Sequence, residues 1–600
     1  MRIYLSSVVV FIQSIFFLIL SEWIFNVTKP SFMSVLVFSE KLSVLFVSLG
    51  LFITAGFVLL SFLYLTFSLI KKTKYYVYTC SLLSSVLILI LFFLLLDNFT
   101  YTVFSFGVVT LSYFTRSLYV FFLLIIFTKI YERVLSKILN NTPNVLLVLL
   151  MFIVSLVYFI NNKEVLSSNR DFGTNQVDAI LYPNIIIMTA DGVNAENMSL
   201  YGYERLTTPN IDALAETSLV AENMYTNSAN TTGSITSLFT GKYPMEVRVV
   251  YNPDILRDED SYQHLLGLLK NKGYKSFQYS YVPYADTYSV NMVSGFDYAN
   301  GRYAPVFNQS NYLSRLLDTD TNYFINEISS RISSRFLHIL YIKEMDDNRD
   351  LVGGKVLKED DWVKVDQLLD EVKASDGPVL GHIHWMGTHG ARFKPSERKY
   401  SLGKDVDNQE RWDTDFYDDA IMEFDMAVGK VVSDLKEVGE FNNTILIISS
   451  DHGQGYSTIE RIPLVMHFPN NLYKQIVDNS QMIDVAPTLL DYLSLNIPDW
   501  IQGDSLFTDS LGERYILNTG LGNVDLEEGA MVMETIKPPF YQFGYIGTIF
   551  CDKWYRIKLP EGKQTSGVIT SATNNCSNYP EDSFVYGYLK DKLKEFKFND

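Results

Sequence analysis

Five long apolar runs dominate the first quarter of the chain. They are separated by short polar loops and lie at residues 4–25, 43–70, 76–96, 105–128 and 144–161. A helix needs about 20 apolar residues to cross a lipid bilayer. A removable signal peptide would account for the first run alone, so the repetition favours helices that stay in the mature protein. The pattern therefore predicts a transmembrane region of about five helices over residues 1–161.

The lysines and arginines between these runs predict the orientation of the membrane region. They concentrate before the first run and in the loops after the second and fourth runs, at Arg2, Lys71, Lys72, Lys74, Lys129, Arg133 and Lys137. The loops on the other side carry only Lys29 and Lys41. Because positive loops stay in the cytoplasm, we expect a cytoplasmic N-terminus in a plasma or inner membrane. After five crossings, the rest of the chain is expected on the extracytoplasmic side.

The pattern changes at about residue 162. A polar stretch at 162–182 is typical of a linker, and short apolar runs then alternate with amphipathic segments. Buried strands are predicted at 184–190, from 379 into the loop before 389, at 444–450 and at 462–469; helices are predicted at 208–216, 230–241, 417–438 and 484–493. This alternation indicates an α/β domain over 183–510 with parallel strands. Residues 511–600 are expected to complete the domain as a small α+β segment, to which we assign no chemistry.

Charge and cysteine content narrow the functional classes. The chain has 67 acidic and 49 basic residues, a net charge of -18 that belongs mainly to the part after residue 162. Nucleic-acid binding rests on clustered lysine and arginine, so we expect no nucleic-acid partner. A solvated acidic surface explains the charge more simply than an acidic-partner function. Cys551 and Cys576 could form a disulfide in an oxidising compartment or remain two buried thiols.

Acidic residues and a histidine follow two of the predicted buried strands. Asp191 comes directly after the run at 184–190, and Asp451 and His452 come directly after the run at 444–450. In open α/β sheets, ligands gather beyond the carboxyl ends of the strands. Carboxylate and imidazole together are suited to a divalent metal. Each pair taken singly is also compatible with an ordinary turn.

Hydroxyl groups and histidines supply further candidates. Thr231 and Thr232 stand at the start of the predicted helix 230–241, where exposed amides favour an anion; a helix cap is the simpler interpretation of either residue. His382 and His384 share one face of a predicted strand, and His389 lies in the glycine-flanked loop that follows. Such clustering is a moderate metal signal. His467, inside another strand, is expected to pack rather than bind a ligand.

Seven blocks in order resemble the sulfatase-like branch of the alkaline phosphatase superfamily. They span about 183–510 and read IIIMTADG, SLYGYERLTTPNIDALA, TTGSITSLFTGKYP, HWMGTHG, ISSDHG, ERIPLVMHFP and DVAPTLLDYL. The predicted membrane anchor is also similar to that of lipid A phosphoethanolamine transferases and lipoteichoic acid synthases. The resemblance implies a soluble domain of the alkaline phosphatase/sulfatase type, with a mostly parallel central sheet flanked by helices.

The resemblance also assigns roles. It implies that Asp191, Asp451 and His452 bind a metal, and that Thr231 is the nucleophile and contacts the same metal. It implies that His389 contacts the substrate phosphate or a second metal. His384 and Thr232 are further substrate-binding candidates. The metal expected from this set of ligands is zinc, with manganese as the alternative.

The chain departs from the family in ways that bear on chemistry. True sulfatases carry a cysteine or serine that is oxidised to formylglycine, within C/S-x-P/A-x-R. Thr231 opens a stretch without the proline and arginine of that motif, and a threonine cannot form formylglycine. The segment after Gly453 is short and lacks the additional histidine of phosphoethanolamine transferases, which puts a two-metal site in doubt.

The function expected from these residues is phosphoryl-type transfer. We expect a phospho-alcohol head group to pass from a membrane phospholipid to an envelope glycan or lipid through a covalent Thr231 intermediate. The same site could instead work as a phosphodiesterase or phosphatase with water as the acceptor. A non-catalytic membrane scaffold is the alternative of another class. The protein is expected to be anchored in the lipid bilayer, with its catalytic domain outside the cytoplasm, and to be a monomer.

Overall fold

The computed structural model describes most of the chain. The described residues are 2–28, 31–97, 113–138, 182–293, 295–303, 319–339, 361–522, 526–527, 530–531, 539–574, 576 and 578–598. The chain forms two compact units. Unit 1 comprises Met1–Arg170 and Val306–Leu351, and unit 2 comprises Asp171–Pro305 and Val352–Asp600. The predicted domain at 183–510 is therefore interrupted by a segment that clusters with the N-terminal helices.

The described residues of unit 1 are almost entirely helical. Its N-terminal helices are Arg2–Thr28, Phe38–Leu69, Thr73–Phe92 with a π-helical turn at Phe93–Asp97, and Tyr113–Ile138, with a short 3-10 helix at Phe32–Val35. Among the described residues, three helices are long and apolar enough to cross a membrane, by length and composition. These three coincide with the first three predicted runs.

The fourth and fifth predicted runs remain predictions. Helix Tyr113–Ile138 overlaps the fourth run, 105–128, whose first residues lie outside the described ranges. The fifth run, 144–161, and nearly all of the linker 162–182 also lie outside them. The count of five spans and the extracytoplasmic orientation accordingly stay predictions.

Helix Thr319–Ile339 belongs to unit 1 although it lies far along the chain. Arg331 Nη1 is 2.7 Å from Oε2 of Glu22, whose side chain is fully buried in the first helix. The guanidinium also covers the ring of Phe25 at 3.9 Å. A buried carboxylate is costly unless it is paired, so Arg331 compensates the charge of Glu22. Apolar contact between Ile325 and Val47 extends the packing.

A mixed sheet forms the centre of unit 2. Its nine described strands, numbered in chain order, are β1 Asn184–Ala190, β2 Ser218–Tyr225, β3 Lys275–Tyr279, β4 Tyr298–Ala299, β5 Arg302–Tyr303, β6 Val379–Trp385, β7 Thr444–Ser450, β8 Leu464–His467 and β9 Lys474–Gln481. Their order is β5-β4-β3-β6-β1-β7-β8-β2-β9. Strands β4, β3, β6, β1 and β7 are parallel neighbours, whereas β8 runs antiparallel to both β7 and β2. The predicted α/β architecture with a mostly parallel sheet is confirmed.

The central strands are apolar on both faces because helices cover both faces. Ile185 and Ile187 of β1 belong to a core cluster that includes Phe239 of helix Thr231–Thr240. Ile186 and Met188 point to the other face, into a cluster built on helix Thr414–Glu437. This alternation explains why a continuous apolar run can form a strand in the middle of a sheet.

The four helices predicted in unit 2 lie close to their predicted positions, and the structure adds others. The described helices of four or more residues are Pro209–Ala215, Thr231–Thr240, Pro244–Val247, Leu265–Lys270, Val282–Ala285, Asp361–Ala374, Thr414–Glu437, Val485–Tyr492 and Asp582–Glu595. Short 3-10 turns occur at Ala195–Asn197, Ser199–Tyr201, Asp258–Ser261, Phe441–Asn443 and Met482–Asp484. Helix Thr231–Thr240 ends at Gly241, whose φ of +65° is a left-handed conformation that glycine adopts without strain.

The C-terminal part forms a second, antiparallel sheet. Its strands are β10 Ile516–Leu521, β13 Phe543–Phe550, β14 Lys553–Lys558 and β15 Gln564–Val568, and the two-residue strands β11 Leu526–Glu527 and β12 Ala530–Met531 pair separately. Helix Asp582–Glu595 packs on this sheet through Val585 and Leu589. Cys551 and Cys576 are joined by a disulfide, with Cα atoms 5.9 Å apart. The described residues after 511 thus form an antiparallel sheet with one helix, and the structure has Cys551 and Cys576 as a disulfide rather than as two free thiols.

Candidate active site

Three neighbouring strands end at one edge of the central sheet and place the acidic residues there. Ala190 of β1 pairs with Trp385 of β6 on one side and with Ser450 of β7 on the other. The ladder continues for one more step, since the Asp191 amide donates to the Trp385 carbonyl at 3.0 Å and the Asp451 amide donates to the Ala190 carbonyl at 3.1 Å. The parallel register therefore brings Asp191 and Asp451 side by side.

The N-terminus of helix Thr231–Thr240 is fastened to the same edge. The Ser234 hydroxyl donates to the carbonyl of Asp451 at 2.7 Å, and the amide of Leu521 donates to the Asn230 side chain at 3.0 Å. These bonds hold the first turn of the helix over the strand ends. Thr231 Oγ1 then lies 3.4 Å from Oδ2 of Asp191, to which it donates.

Three histidines surround the two carboxylates. His384 Nε2 lies 3.3 Å from Oδ2 of Asp191 and 3.9 Å from Oδ2 of Asp451. His452 Nε2 lies 3.4 Å from Oδ2 of Asp451 and 3.8 Å from Oδ1 of Asp191. His389 Nδ1 approaches Oδ1 of Asp191 at 2.9 Å, and its side chain is 23% exposed. Donor atoms of Asp191, His384 and Asp451 all lie within 4.8 Å of one another.

Two buried atoms of this cluster lack a hydrogen-bond partner among the described residues. Asp451 Oδ1 accepts from the amides of Gly192 and His452, at 3.0 and 2.8 Å, whereas its Oδ2 accepts nothing. His452 Nδ1 lies 2.9 Å from the carbonyl of Gly453, so it carries the proton and leaves a lone pair on the unpartnered Nε2. Buried polar atoms are normally paired. Their convergence fits a divalent cation.

Hydrogen bonds behind the cluster are arranged to present the Nε2 lone pair of His384. The N–H of Thr287 donates to Oε1 of Gln278 at 3.1 Å and so orients the Gln278 amide. Nε2 of Gln278 then donates to Nδ1 of His382 at 3.1 Å. His382 Nε2 then donates to the Thr189 hydroxyl at 3.0 Å. That hydroxyl can donate onwards to the carbonyl of Ile383 at 3.4 Å and accept from Nδ1 of His384 at 2.9 Å. Such outer contacts fix the tautomer of a ligating histidine.

Charges within the cluster keep Asp191 ionised. Burial disfavours its charge, but the neighbouring His389, whose Nδ1 lies 2.9 Å from Oδ1, outweighs burial and holds the pKa of Asp191 well below its ordinary value. Burial, together with the neighbouring His384, holds the pKa of His382 well below its ordinary value. Asp191 is therefore a carboxylate and His382 a neutral imidazole at physiological pH.

A cavity of about 730 Å³ opens above Thr231. It is lined by Ala229, Asn230, Thr231, Tyr251, Tyr284, His389, Gly455, Tyr456, Ser457, Ile459, Gly520, Leu521, Gly522, Tyr545 and Arg556. The floor thus comes from the first turn of helix Thr231–Thr240, and part of the wall comes from the C-terminal sheet. A hydroxyl group at the base of a concave aromatic pocket is typical of an enzyme site.

The structure brings together nearly all of the residues singled out in the sequence. Asp191, Thr231, Asp451, His452 and His389 converge as the resemblance implies. His384 converges too, and its Nε2 lies among the carboxylate oxygens. The Thr232 hydroxyl is engaged elsewhere, since it donates to the carbonyl of Tyr284 at 2.9 Å and its side chain is buried. The substrate-binding roles predicted for His384 and Thr232 stay predictions.

Sequence reasoning missed Arg556. The segment after residue 511 was assigned no chemistry, yet β14 delivers this arginine to the wall of the cavity. An arginine in a strand with alternating exposure carries no local signal of such a role. Only the packing of the second sheet beside the first reveals it.

Comparison with known proteins agrees with this geometry. The family profile described as Sulfatase matches residues 183–495. An N-acetylglucosamine-6-O-sulfatase of Bacteroides thetaiotaomicron is 23% identical over 397 residues, 54% of this chain and 70% of the relative. A multifunctional alkaline phosphatase superfamily protein of Trinickia caryophylli is 31% identical over 152 residues, 23% of this chain and 29% of the relative.

Among solved structures, a phosphonate monoester hydrolase of Agrobacterium radiobacter aligns with a TM-score of 0.47 and 16% identity. The alignment covers 69% of this chain and 95% of that one. The sulfatase profile itself spans more than half of the 600 residues. It also contains the strand ends and the helix that carry Asp191, Thr231, His384, His389, Asp451 and His452. The chain belongs to the sulfatase family.

Proposed function

We propose that the protein is a metal-dependent enzyme that cleaves phosphate esters through a covalent intermediate on Thr231. The observation that carries the proposal is the position of Thr231 Oγ1. It lies at the floor of the cavity and donates to Asp191, beside a cluster in which Asp451 Oδ2 and His452 Nε2 have no protein partner among the described residues. A hydroxyl nucleophile needs such activation at neutral pH.

Asp191, His384, Asp451 and His452 would hold the cation, with Thr231 facing it. Two imidazoles and two carboxylates suit zinc best, and manganese is the alternative. When bound, the cation supplies positive charge that lowers the pKa of the threonine hydroxyl and offsets the charge of the phosphoryl oxygens.

Residues of this chain position the reacting groups and the proton donor. Asp191 accepts the hydrogen bond of the Thr231 hydroxyl and so directs Oγ1 towards the cavity. Oγ1 passes its proton to the Asp191 carboxylate and forms a bond to phosphorus, while the bond from phosphorus to the leaving oxygen breaks in line. His389, held by Asp191 at 2.9 Å and partly exposed in the cavity, is placed to protonate the departing oxygen.

The threonine itself argues for phosphate rather than sulfate esters. The relative from Bacteroides thetaiotaomicron is a sulfatase. Threonine cannot be oxidised to formylglycine, so the route of true sulfatases is closed at Thr231. A phosphothreonine intermediate remains open to attack at phosphorus by a second oxygen nucleophile.

Water is the acceptor that we propose first, which makes the enzyme a phosphodiesterase or phosphatase. The relative from Bacteroides thetaiotaomicron, which is named as a sulfatase, supports a hydrolytic reaction.

A second candidate is transfer of a phospho-alcohol group from a phospholipid to an envelope glycan or lipid. It is favoured by the N-terminal helices long and apolar enough to cross a membrane, which would hold unit 2 near a lipid donor. The non-catalytic scaffold is disfavoured because Thr231 and all of its neighbours are retained in a convergent arrangement.

Mass spectrometry of the purified full chain tests the proposal. The wild type and Thr231→Ala are loaded with zinc or manganese and incubated with phospholipid or with 4-nitrophenyl phosphate esters. A phosphoryl or phospho-alcohol adduct on Thr231, absent from the variant, is expected. Thr240→Ala is the matched control, because it removes a hydroxyl from the far end of the same helix. Unchanged turnover by Thr231→Ala would overturn the covalent route.

The fate of the adduct separates the two acceptors. Release of soluble product in water alone supports hydrolysis. An adduct that persists until a glycan or lipid acceptor is added supports transfer. Absence of adduct, turnover and bound metal would favour the scaffold.

A further inference from the structure

A single guanidinium stands in the wall of the cavity above Thr231. Arg556 reaches it from β14, and its guanidinium carbon lies 3.8 Å from the centre of the Tyr545 ring. One Nη donates to the Thr458 hydroxyl at 3.3 Å. Its other Nη forms no hydrogen bond with the described residues, and its buried Nε has no hydrogen-bond partner among them either. The arginine therefore retains donor capacity that the surrounding protein does not use.

Neighbouring groups fix the position of this side chain. Thr458 Oγ1 lies 3.0 Å from both Asn518 Oδ1 and the Tyr545 hydroxyl, so the group that receives the Arg556 bond is itself held in place. Stacking on Tyr545 sets the plane of the guanidinium. A preorganised guanidinium loses less freedom when it binds a ligand than a mobile one does.

The charge of Arg556 is not offset within the cavity. None of the residues lining the cavity is an aspartate or glutamate, and within the described part of the chain no carboxylate forms an ion pair with Arg556. Most other arginines of unit 2 for which a polar contact is described bind carboxylates, as Arg205 does with Asp415 and Asp418 and Arg514 does with Asp484. An unpaired guanidinium beside a reaction site is suited to an anion supplied by the substrate.

We propose that Arg556 selects substrates whose organic group carries a second negative charge, a carboxylate, phosphate or sulfate, while the reacting phosphorus lies at Thr231. The inference rests on the proposed function and names its substrate class. Tyr251, Tyr284 and Tyr456 supply apolar surface for the carbon skeleton between the two anions. A cationic group such as the ammonium of ethanolamine is disfavoured at this wall by repulsion from Arg556.

Three 4-nitrophenyl phosphodiesters test the inference, with ethyl, 2-carboxyethyl and 2-aminoethyl as the second ester group. With the metal-loaded wild type we expect kcat/KM for the carboxyethyl ester to exceed that of the ethyl ester by about tenfold or more, mainly through KM, since a charged hydrogen bond is involved. The aminoethyl ester should be the poorest substrate. Arg556→Gln should remove the advantage of the carboxylate, and Arg556→Lys should restore part of it.

Two controls separate recognition from damage. Arg556→Gln should lower kcat/KM for the carboxyethyl ester much more than for the ethyl ester, whose second ester group is uncharged, so the ratio of the two values reports recognition rather than general damage. Arg411→Gln removes an exposed charge of the same sign outside the cavity and should leave the order of the three esters unchanged. Equal kcat/KM for the three esters with the wild type would overturn the inference.

A binding measurement keeps the inference testable if the proposed function fails. If the wild type hydrolyses none of the esters, phosphoester cleavage as proposed is contradicted. Thermal stabilisation by 2-carboxyethyl phosphate is then compared with that by ethyl phosphate. A larger shift with the carboxylate, lost in Arg556→Gln, supports recognition by Arg556, and equal shifts contradict it.

Discussion

Two buried acidic regions of unit 2 look alike in composition and differ in how their oxygens are used. In helix Thr414–Glu437, Asp419 is fully buried, and each of its oxygens accepts two hydrogen bonds, from the amides of Lys399, Tyr400 and Ser401 and from the Ser401 hydroxyl. At the strand ends, Asp451 is equally buried, but only its Oδ1 accepts bonds from the protein.

The difference shows what a buried carboxylate reveals about function. Burial with four donors makes Asp419 a structural anchor for the 399–401 loop, because its charge is compensated within the fold. Asp451 is buried with one oxygen that accepts no hydrogen bond, and this oxygen faces a similarly unpartnered nitrogen of His452. The folded chain alone does not compensate the free-energy cost of burying these two atoms. The unused atoms, rather than the burial, mark the site.

Asp451→Asn should have the largest effect of these substitutions, and the effect should be on activity rather than on stability. An asparagine can keep Oδ1 on the amides of Gly192 and His452, while its Nδ2 replaces the oxygen that would bind the cation. We expect kcat/KM to fall on the order of 10⁴-fold, equivalent to about 5.5 kcal/mol, with metal content sharply reduced. Steady-state kinetics and elemental analysis measure both. The apparent melting temperature of the metal-free protein should hardly change.

Asp419→Asn should act on stability instead. Turned either way, its NH₂ faces at least one backbone N–H, which cannot accept, so at least one bond to a charged group is lost and the remaining bonds become weaker bonds to a neutral amide. At roughly 1.5–3 kcal/mol for the lost bond and about 1 kcal/mol for each weakened one, we expect a loss of about 4 kcal/mol in the free energy of unfolding. Denaturant unfolding of the full chain in detergent measures it. Unchanged stability combined with loss of metal would break the distinction between the two regions.

The comparison extends to histidines. Both ring nitrogens of His264 form hydrogen bonds within the protein. Nδ1 accepts from the amide of Gly267 at 3.1 Å, and Nε2 donates to the carbonyl of Val293 at 2.9 Å. Burial lowers the pKa of His264 to about 4. Below pH 6.5 the unfolded chain binds a proton that the folded chain refuses, so stability is lost as the pH falls from about 6.5 to about 4.

His264→Gln should remove this pH dependence. The contribution of His264 is expected to be about 3 kcal/mol, or roughly 2.5 pH units at 1.36 kcal/mol each. The free energies of unfolding of the wild type and the variant are measured between pH 7 and pH 4. The difference between them should shrink by about 3 kcal/mol as the pH falls. A constant difference across the range would show that His264 is not held neutral by the fold.

The smallest effect is expected at His467, a buried histidine that tests how far the comparison extends. Its ring is fully buried on Phe441, with centroids 4.4 Å apart, and neither nitrogen has a partner among the described residues. Among the described residues, His467 does not belong to any group of side chains placed to bind a metal ion together. We expect His467→Leu to stabilise the protein by about 1 kcal/mol, because an unpaired polar group is replaced by an apolar one. Thermal unfolding tests this; loss of bound metal would contradict it.

The sequence was informative where local pattern and parallel register act together. The runs before Asp191 and Asp451 predict adjacent buried strands, and parallel strands end at one edge, so the meeting of these residues could be foreseen. The helix that begins at Thr231 could be foreseen as well, from its hydroxyl-rich start and terminal glycine. The ordered family blocks raised these separate indications to a coherent site.

Other features could not be read from local pattern because they depend on distant packing. His384 was identified as a candidate, but its place among the carboxylate oxygens follows from the pairing of β6 with β1. Arg556 reaches the cavity only because the second sheet packs beside the first. The membership of helix Thr319–Ile339 in unit 1 depends on Glu22, some 300 positions earlier in the chain.

The interruption of unit 2 by Val306–Leu351 has a consequence for protein engineering. A fragment beginning at residue 171 removes Glu22, Phe25 and Val47 but retains helix Thr319–Ile339, which then loses the partners of Arg331 and Ile325. Such a fragment exposes an apolar stripe and is prone to aggregate or bind detergent. Simple truncation therefore does not yield a clean soluble enzyme. Replacing 306–351 by a short flexible linker, together with the truncation, is the design that the fold suggests.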